Sequence, residues 1–175
     1  MAIYEFEGHR PQIDPTAFIH PDATVIGAVT IGPECFVGAG AVIRGDYGTI
    51  AIGSRSNVQE NAVLHAAPGT DMIIGNGVLI GHGAIMHGLT LADGALVGMG
   101  AIVSHECHLE ADAMLGAGSL LPPRKTLHRR MLAVGSPAKE IRELDDKAVK
   151  SNEMGIVLYS GLAARYHQSL RRIDS

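Results

Sequence analysis

The stretch VIGAVTIGPECFVGAGAVI (residues 25–43) places an aliphatic side chain at every sixth position. Outward from it the interval continues in both directions, interrupted only by insertions of three and four residues and a deletion of one. An interval kept this long indicates a stack of repeated structural units. The aliphatic positions number eighteen: Ile13, Ile19, Val25, Ile31, Val37, Ile43, Ile52, Val58, Leu64, Ile74, Ile80, Met86, Leu91, Val97, Val103, Leu109, Leu115 and Leu121.

A second slot of the repeat, four residues after the aliphatic, is filled by small side chains. Both cysteines, Cys35 and Cys107, fall in this slot, so we expect them to be small buried apolar residues rather than nucleophiles. Six-residue units suit a coil with three flat sides, with the aliphatic pointing inward and the small residue near a corner. Eighteen units over three sides predict six coils, which at about 4.8 Å per coil make a prism roughly 30 Å tall.

The predicted fold is therefore mainly β, a parallel β-helix of hexapeptide repeats with a C-terminal α-helix. We divide the chain into a β-helix domain at residues 1–140 and a helical segment at 141–175 that packs on it. The helix is expected from about Asp145 to Arg171, where acidic residues suit its start and arginines its end. Its apolar face repeats every seven residues at Val149, Ile156, Ala163 and Leu170.

Composition excludes several classes of function. The net charge is −4, which argues against a nucleic-acid partner. No apolar run approaches the roughly 18 residues of a membrane span, and the first residues lack the features of a secretory signal. We therefore expect a cytoplasmic protein that acts on a small-molecule substrate.

Histidine spacing points to a metal site. His65 and His87 are 22 residues apart, and subtracting the four-residue insertion leaves 18, one full coil. Arg44 and His65 are 21 residues apart, and subtracting the three-residue insertion again leaves 18, one full coil. Arg44, His65 and His87 should therefore form one column. His82 falls on a different side, so it would complete a set of three imidazoles only from a neighbouring chain. Three neutral imidazoles suit Zn²⁺, with Fe²⁺ or Co²⁺ as alternatives, and a three-sided prism favours closure as a homotrimer with metal sites at the subunit interfaces.

The remaining histidines show no such convergence, and we expect them to be ordinary polar or surface residues. They are His9, His20, His105, His108, His128 and His167.

Five segments together resemble the γ-class carbonic anhydrases, most closely the bacterial branch that includes proteins of phenylacetate degradation and carnitine metabolism. The resemblance covers nearly the whole chain and implies a left-handed β-helix. It rests on VIRGDYG (42–48), SRSNVQENAVLH (54–65), IGHGAIMHG (80–88), LVGMGAIV (96–103) and VGSPAKEIREL (134–144).

The resemblance implies a metal-dependent, reversible hydration of carbon dioxide to bicarbonate. His65 and His87 would ligate the metal from one subunit and His82 from its neighbour. Arg44 and Asp46 would form an ion pair across the subunit interface, where they would order the site or simply hold the trimer together.

Further residues take roles from the same resemblance. Gln59 would orient the reacting water or hydroxide, and Asn57 would support Gln59. Glu60 matches an acid that helps the adjoining chain, and Tyr159 on the final helix matches a pocket tyrosine.

The chain departs from this family at three positions. Tyr47 stands where the prototype has a glutamate, Asp71 is the single acid in a loop that is acidic in the prototype, and Gly161 replaces a pocket asparagine. Two alternatives therefore stay open. One is an acyl-CoA-directed transferase or thioester hydrolase on the same scaffold, and the other is a non-catalytic, metal-stabilised binding protein.

Overall fold

The computed structural model describes residues 2–173. The chain winds into a parallel β-solenoid of short strands, followed by one helix, α1 (Asp146–Ser169). The strands in chain order are β1 (Ala2–Tyr4), β2 (Gln12–Ile13), β3 (Phe18–Ile19), β4 (Thr24–Ile31), β5 (Phe36–Val37), β6 (Val42–Ile52), β7 (Asn57–Val58), β8 (Val63–His65), β9 (Met72–Ile74), β10 (Leu79–Ile80), β11 (Ile85–His87), β12 (Thr90–Leu91), β13 (Leu96–Val97), β14 (Ile102–Val103), β15 (His108–Leu109), β16 (Met114–Leu115), β17 (Leu120–Leu121), β18 (Thr126–Leu127), β19 (Met131–Gly135) and β20 (Ala138–Glu143).

Three walls enclose the core, and the inward-facing side chains of each wall stack in register from coil to coil. The first wall stacks Ile3, Val25, Ile43, Leu64, Met86, Val103 and Leu121. The second stacks Ile13, Ile31, Ile52, Ile74, Leu91, Leu109 and Leu127. The third stacks Ile19, Val37, Val58, Ile80, Val97, Leu115 and Ala133.

The mainly β fold and the inward aliphatics are thus confirmed, but the count of six coils is wrong. The solenoid has about seven turns. Ile3 adds a position before the first predicted unit, and Leu127 and Ala133 add two after the last. The prolines and basic residues near 122–130 hide the interval in the sequence because they lie on outward-facing or corner positions.

Small side chains fill the corners as expected. Cys35 and Cys107 are both buried and free. Burial raises the pKa of the Cys35 thiol to about 11, so it stays protonated and unreactive at neutral pH.

An antiparallel hairpin closes the C-terminal end of the solenoid. Strand β19 belongs to the third wall, and β20 turns back along it. Leu144 is buried after this hairpin, and Arg130 donates to its carbonyl oxygen at 3.1 Å.

Helix α1 packs on the third wall of its own chain. Asp145 caps its N-terminus by accepting a hydrogen bond from the Ala148 N–H at 2.8 Å. Ile156 and Ala163 on the predicted apolar face are buried, and Ala163 lies against the stacked rings of Phe18 and Phe36. No helix among residues 2–173 is long and apolar enough to span a membrane.

The two insertions lie at one corner, between the first and second walls. Strand β6 bends around this corner and bulges outward after Gly45, and the longer loop after His65 stacks on the bulge. The Thr49 hydroxyl donates to Asp71 Oδ1 at 2.7 Å, which joins the two loops. The strands re-enter the ladder in register, so the extra residues form a ledge beside the histidine column without disturbing the core.

Candidate functional site

The first wall presents His65 and His87 on adjacent coils, as their spacing predicted. The two residues pair directly in the strand ladder, and Arg44 pairs with His65 one coil below. The ring centroids of the two histidines lie 5.1 Å apart. Each follows an inward aliphatic, so its ring points outward from the wall into the space beside the ledge.

Asp46 neutralises one end of this column. Its Oδ2 accepts from the Arg44 guanidinium, and its Oδ1 lies 2.9 Å from His65 Nε2. Burial alone would raise the pKa of Asp46, but the hydrogen bonds from Arg44 and His65 outweigh it and lower the pKa. The ion pair of Arg44 and Asp46 forms within one chain, because residues two apart on a strand share a face. This contact neutralises Asp46 within the single chain, and the pairing across a subunit boundary stays a prediction.

His87 is held in the neutral form. Burial lowers its pKa, and so do the nearby charges of His65, His105 and Arg44. His105 is therefore not the isolated residue that the sequence suggested, since its ring centroid lies 6.4 Å from that of His87. A neutral imidazole is the form that binds a metal ion.

This lowered pKa predicts how the metal-free protein responds to acid. An unfolded histidine takes up a proton near pH 6.5, whereas His87 in the folded chain does so only at lower pH. The unfolded state then binds more protons, so stability is full above about pH 6.5 and falls as the pH drops through that value. His87→Gln should make the denaturation midpoint of chelator-treated protein less sensitive to a change from pH 8 to pH 5.5.

The matched control is His108→Gln, which changes an exposed histidine on the second wall. An H87Q protein whose midpoint falls with pH as steeply as that of the unaltered protein would contradict the assignment.

His82 lies at a different corner, directly after the third-wall strand β10. The chain makes no ring contact between it and His65 or His87 within the described residues. Its side chain is 45% exposed, and its Nδ1 lies 2.5 Å from Glu60 Oε2. Within residues 2–173 of one chain, no group of three or more histidine, cysteine, aspartate or glutamate side chains is arranged to hold a metal ion.

Asn57 and Gln59 lie on and beside strand β7, one coil below His82's corner. Both are buried, and Gln59 Nε2 donates to Asn57 Oδ1 at 3.0 Å. This contact leaves the Gln59 carbonyl oxygen Oε1 available as an acceptor. Gln59 also lines an apolar groove of about 300 Å³ that passes over Gly81 and Met99.

The two tyrosines considered from the sequence lie on different sides of the solenoid. Tyr159 on α1 is half-buried against Phe36, with ring centroids 5.6 Å apart. Burial raises its pKa, and the negative charge of Glu60 adds to the effect, so its hydroxyl remains protonated. Tyr47, on the ledge, is 62% exposed, and its ring centroid lies 6.0 Å from that of His65.

Sequence reasoning missed the contact between Glu60 and His82. A signal for it was present, because the two residues are 22 positions apart, the same separation as His65 and His87. The Gly83 N–H donates to the Glu60 carbonyl at 2.9 Å, which shows that these residues occupy adjacent coils of one corner.

The first-wall pair has the spacing that a shared metal ion requires. Zn–N bonds of 2.0–2.1 Å at tetrahedral angles place two imidazole centroids about 5 Å apart, and the coil pitch of about 4.8 Å imposes nearly the same value. The observed 5.1 Å thus fits two ligands of one ion. A metal ion at His65 would bind Nδ1 while Asp46 contacts Nε2. It would bind Nε2 only if Asp46 gave up that contact and bonded to Arg44 alone. One chain therefore presents two imidazoles on one face and a third on another.

Comparison with known proteins assigns the family. Residues 10–45 match the profile described as bacterial transferase hexapeptide (six repeats), and residues 28–66 and 72–105 match the hexapeptide repeat of succinyl-transferase. The chain is 35% identical over 170 residues to the carnitine operon protein CaiE of Shigella flexneri, an alignment that covers 97% of this chain and 87% of that protein. This chain belongs to the hexapeptide-repeat family that includes CaiE. Its fold is the left-handed parallel β-helix of that family.

Two solved structures of this hexapeptide-repeat family superpose closely. A hexapeptide transferase family protein from Anaplasma phagocytophilum is 37% identical, with a TM-score of 0.91 over 94% of this chain and 98% of the other. A putative acetyltransferase from Bacillus cereus is 36% identical, with a TM-score of 0.93 over 94% and 96% of the two chains. The family thus shares the solenoid and the C-terminal region along almost the full length.

Proposed function

We propose that the protein is a metal-dependent enzyme that interconverts carbon dioxide and bicarbonate, with its site between the subunits of a homotrimer. His65 and His87 of one subunit and His82 of the next would hold a Zn²⁺, Fe²⁺ or Co²⁺ ion. The observation that supports this most strongly is the stacked pair His65 and His87. Its spacing suits one ion, and burial together with the charges around His87 lowers the pKa of that ring and favours its neutral form.

Association through the first wall accounts for the third ligand. Beside the histidine column, the outward positions of this wall stack Val42, Val63, Ile85, Ile102 and Leu120. Ile85 and Ile102 are 48% and 41% exposed, so the stripe is apolar and uncovered in the single chain. A neighbouring subunit that covers it with the corner carrying His82 would bring the three imidazoles together, and three such contacts close a ring.

When bound, the metal ion would supply a water acidified enough to act as a nucleophile near neutral pH. The residues of the chain would hold the metal ion and shield the reacting groups from bulk water. Asp46 keeps the proton on one nitrogen of His65, and Arg44 compensates the charge of Asp46. The apolar groove beside Gln59 favours an uncharged substrate such as carbon dioxide over a charged one.

Gln59 would orient the reacting groups. Because its Nε2 donates to Asn57, its Oε1 is left to accept a hydrogen bond. Tyr159 keeps its hydroxyl proton and packs against Phe36 on the third wall. Asn57 acts through Gln59 by fixing which way the amide points.

Acyl transfer is the second candidate, and the descriptions of the two solved relatives favour it. It also has a structural basis in His65, whose contact with Asp46 has the form of a carboxylate that orients a general base. His65 would take the proton of an acceptor hydroxyl or amine as that group attacks the thioester carbonyl, and the coenzyme A thiol would leave with a proton.

Metal content and two activity assays separate the candidates. We expect roughly one divalent ion per subunit in the purified trimer, with stopped-flow carbon dioxide hydration that is lost on chelation and restored by Zn²⁺ or Fe²⁺. Thiol release from acetyl-CoA with a panel of hydroxyl and amine acceptors should stay at background. Thiol release that survives chelation would replace the hydration proposal with acyl transfer, and bound metal without either activity would indicate a structural ion.

A further inference from the structure

The corner that carries His82 contains one acid in direct contact with it. Glu60 Oε2 lies 2.5 Å from His82 Nδ1, and the two residues occupy adjacent coils. A carboxylate has no donor, so this contact is favourable only with the proton on Nδ1. In the neutral imidazole the other nitrogen, Nε2, then carries the free lone pair.

Space for this acid is provided by Gly38, one coil below. A Cβ at this position would lie 2.8 Å from the Glu60 backbone nitrogen and 2.9 Å from its Cδ and Oε1. Such distances are closer than real Cβ contacts, so any side chain at position 38 would push the Glu60 carboxylate away. The absence of a side chain there is what lets Glu60 lie along the wall beneath His82.

From this geometry we infer that Glu60 is a positioning residue, which fixes His82 as its Nδ1–H form and presents Nε2 to the neighbouring subunit as a metal ligand. The inference rests on the proposed function for the identity of the ligand set. Outer partners of this kind fix ring orientation and increase the basicity of the ligating nitrogen. Glu60 would position His82, the ligand from one subunit, as Asp46 would position His65 in the neighbouring subunit.

Substitution of Glu60 tests the role directly. With the trimer stripped by chelator and titrated with Zn²⁺, Glu60→Ala should raise the dissociation constant about 10- to 100-fold, and Glu60→Gln should lose less because its amide oxygen still accepts from Nδ1–H. Gly38→Ala should weaken binding in the same direction. Glu34→Ala, at another corner, is the matched control and should bind as the unaltered protein does.

A second readout does not depend on metal or activity. In metal-free protein labelled with ¹⁵N-histidine, the His82 signals, assigned by their loss in His82→Gln, should show the Nδ1–H form, and Glu60→Ala should shift the population toward Nε2–H. Unchanged Zn²⁺ affinity in Glu60→Ala, or an Nε2–H form of His82 in the unaltered protein, would overturn the inference. If the unaltered trimer binds no metal, the proposed function fails, and the tautomer spectra alone then decide the role of Glu60.

Discussion

His82→Ala is expected to release the metal ion from the trimer while the trimer itself persists. His82 lies 45% exposed at a corner and contributes to no core, so its removal should not unfold the solenoid. The affinity for Zn²⁺ should fall by more than the roughly 10- to 100-fold typical of losing an outer-shell partner, because a direct ligand is removed. Metal analysis after size-exclusion chromatography with light scattering measures both outcomes in one sample.

Mixed trimers provide the sharper form of this experiment. Subunits carrying His82→Ala are refolded with subunits carrying His65→Ala and His87→Ala, neither of which should bind metal alone. In an equal mixture about a quarter of the interfaces would join an intact pair to an intact His82, so metal should return to roughly that level. No recovery on mixing, or full metal content in His82→Ala alone, would contradict a site shared between subunits.

Gly27→Ala is expected to destabilise the protein more than any comparable change in a surface turn. Gly27 has φ of +78°, and a Cβ there would lie 2.3 Å from the carbonyl oxygen of Gly45 in the next coil. Left-handed strain costs about 1–2 kcal/mol, and the displaced backbone adds about 1–3 kcal/mol. The same contact lies beneath the loop that carries Asp46, so Zn²⁺ affinity should fall as well.

Gly118→Ala separates strain from collision. Gly118 has φ of +65°, but a Cβ there meets nothing within 4 Å, so only the left-handed strain applies. Chemical denaturation of the two variants should therefore differ by about 1–3 kcal/mol in the free energy of unfolding. Equal losses would show that the coil adjusts around position 27 without cost.

The sequence predicted the parts of this molecule that depend on counting. The inward aliphatics, the corner cysteines and the stacking of Arg44, His65 and His87 all follow from a fixed interval plus the known insertions. The buried Ile156 and Ala163 of the final helix were equally visible, whereas Leu170, expected on the same face, follows the end of α1 and is 38% exposed. These features are local or periodic, so a single register determines them.

The rest depended on contacts that no period specifies. The count of repeats stopped at Leu121 because outward prolines and arginines around Leu127 mask an inward position that only the ladder reveals. His105 lies two positions after its inward aliphatic, Val103, whereas His87 lies one position after Met86. Counting residues at the same repeat position therefore does not bring His105 and His87 together. The contact of Asp46 with His65 arises because an insertion bends the strand. The residue types in the insertion do not determine the direction of that bend.

The ledge allows the solvent-exposed surface beside the imidazole pair to vary while the walls of the solenoid stay the same. Both loops leave the ladder at one corner and rejoin it in phase, so their length and composition are uncoupled from the wall beneath. Exchanging the solvent-side tip of the second loop, residues 68–70, for a longer acidic segment would therefore alter what reaches the imidazole pair from solvent, while the pair keeps its separation. Substrate choice can in this way diverge among related chains through a few solvent-side residues, with the interior left untouched.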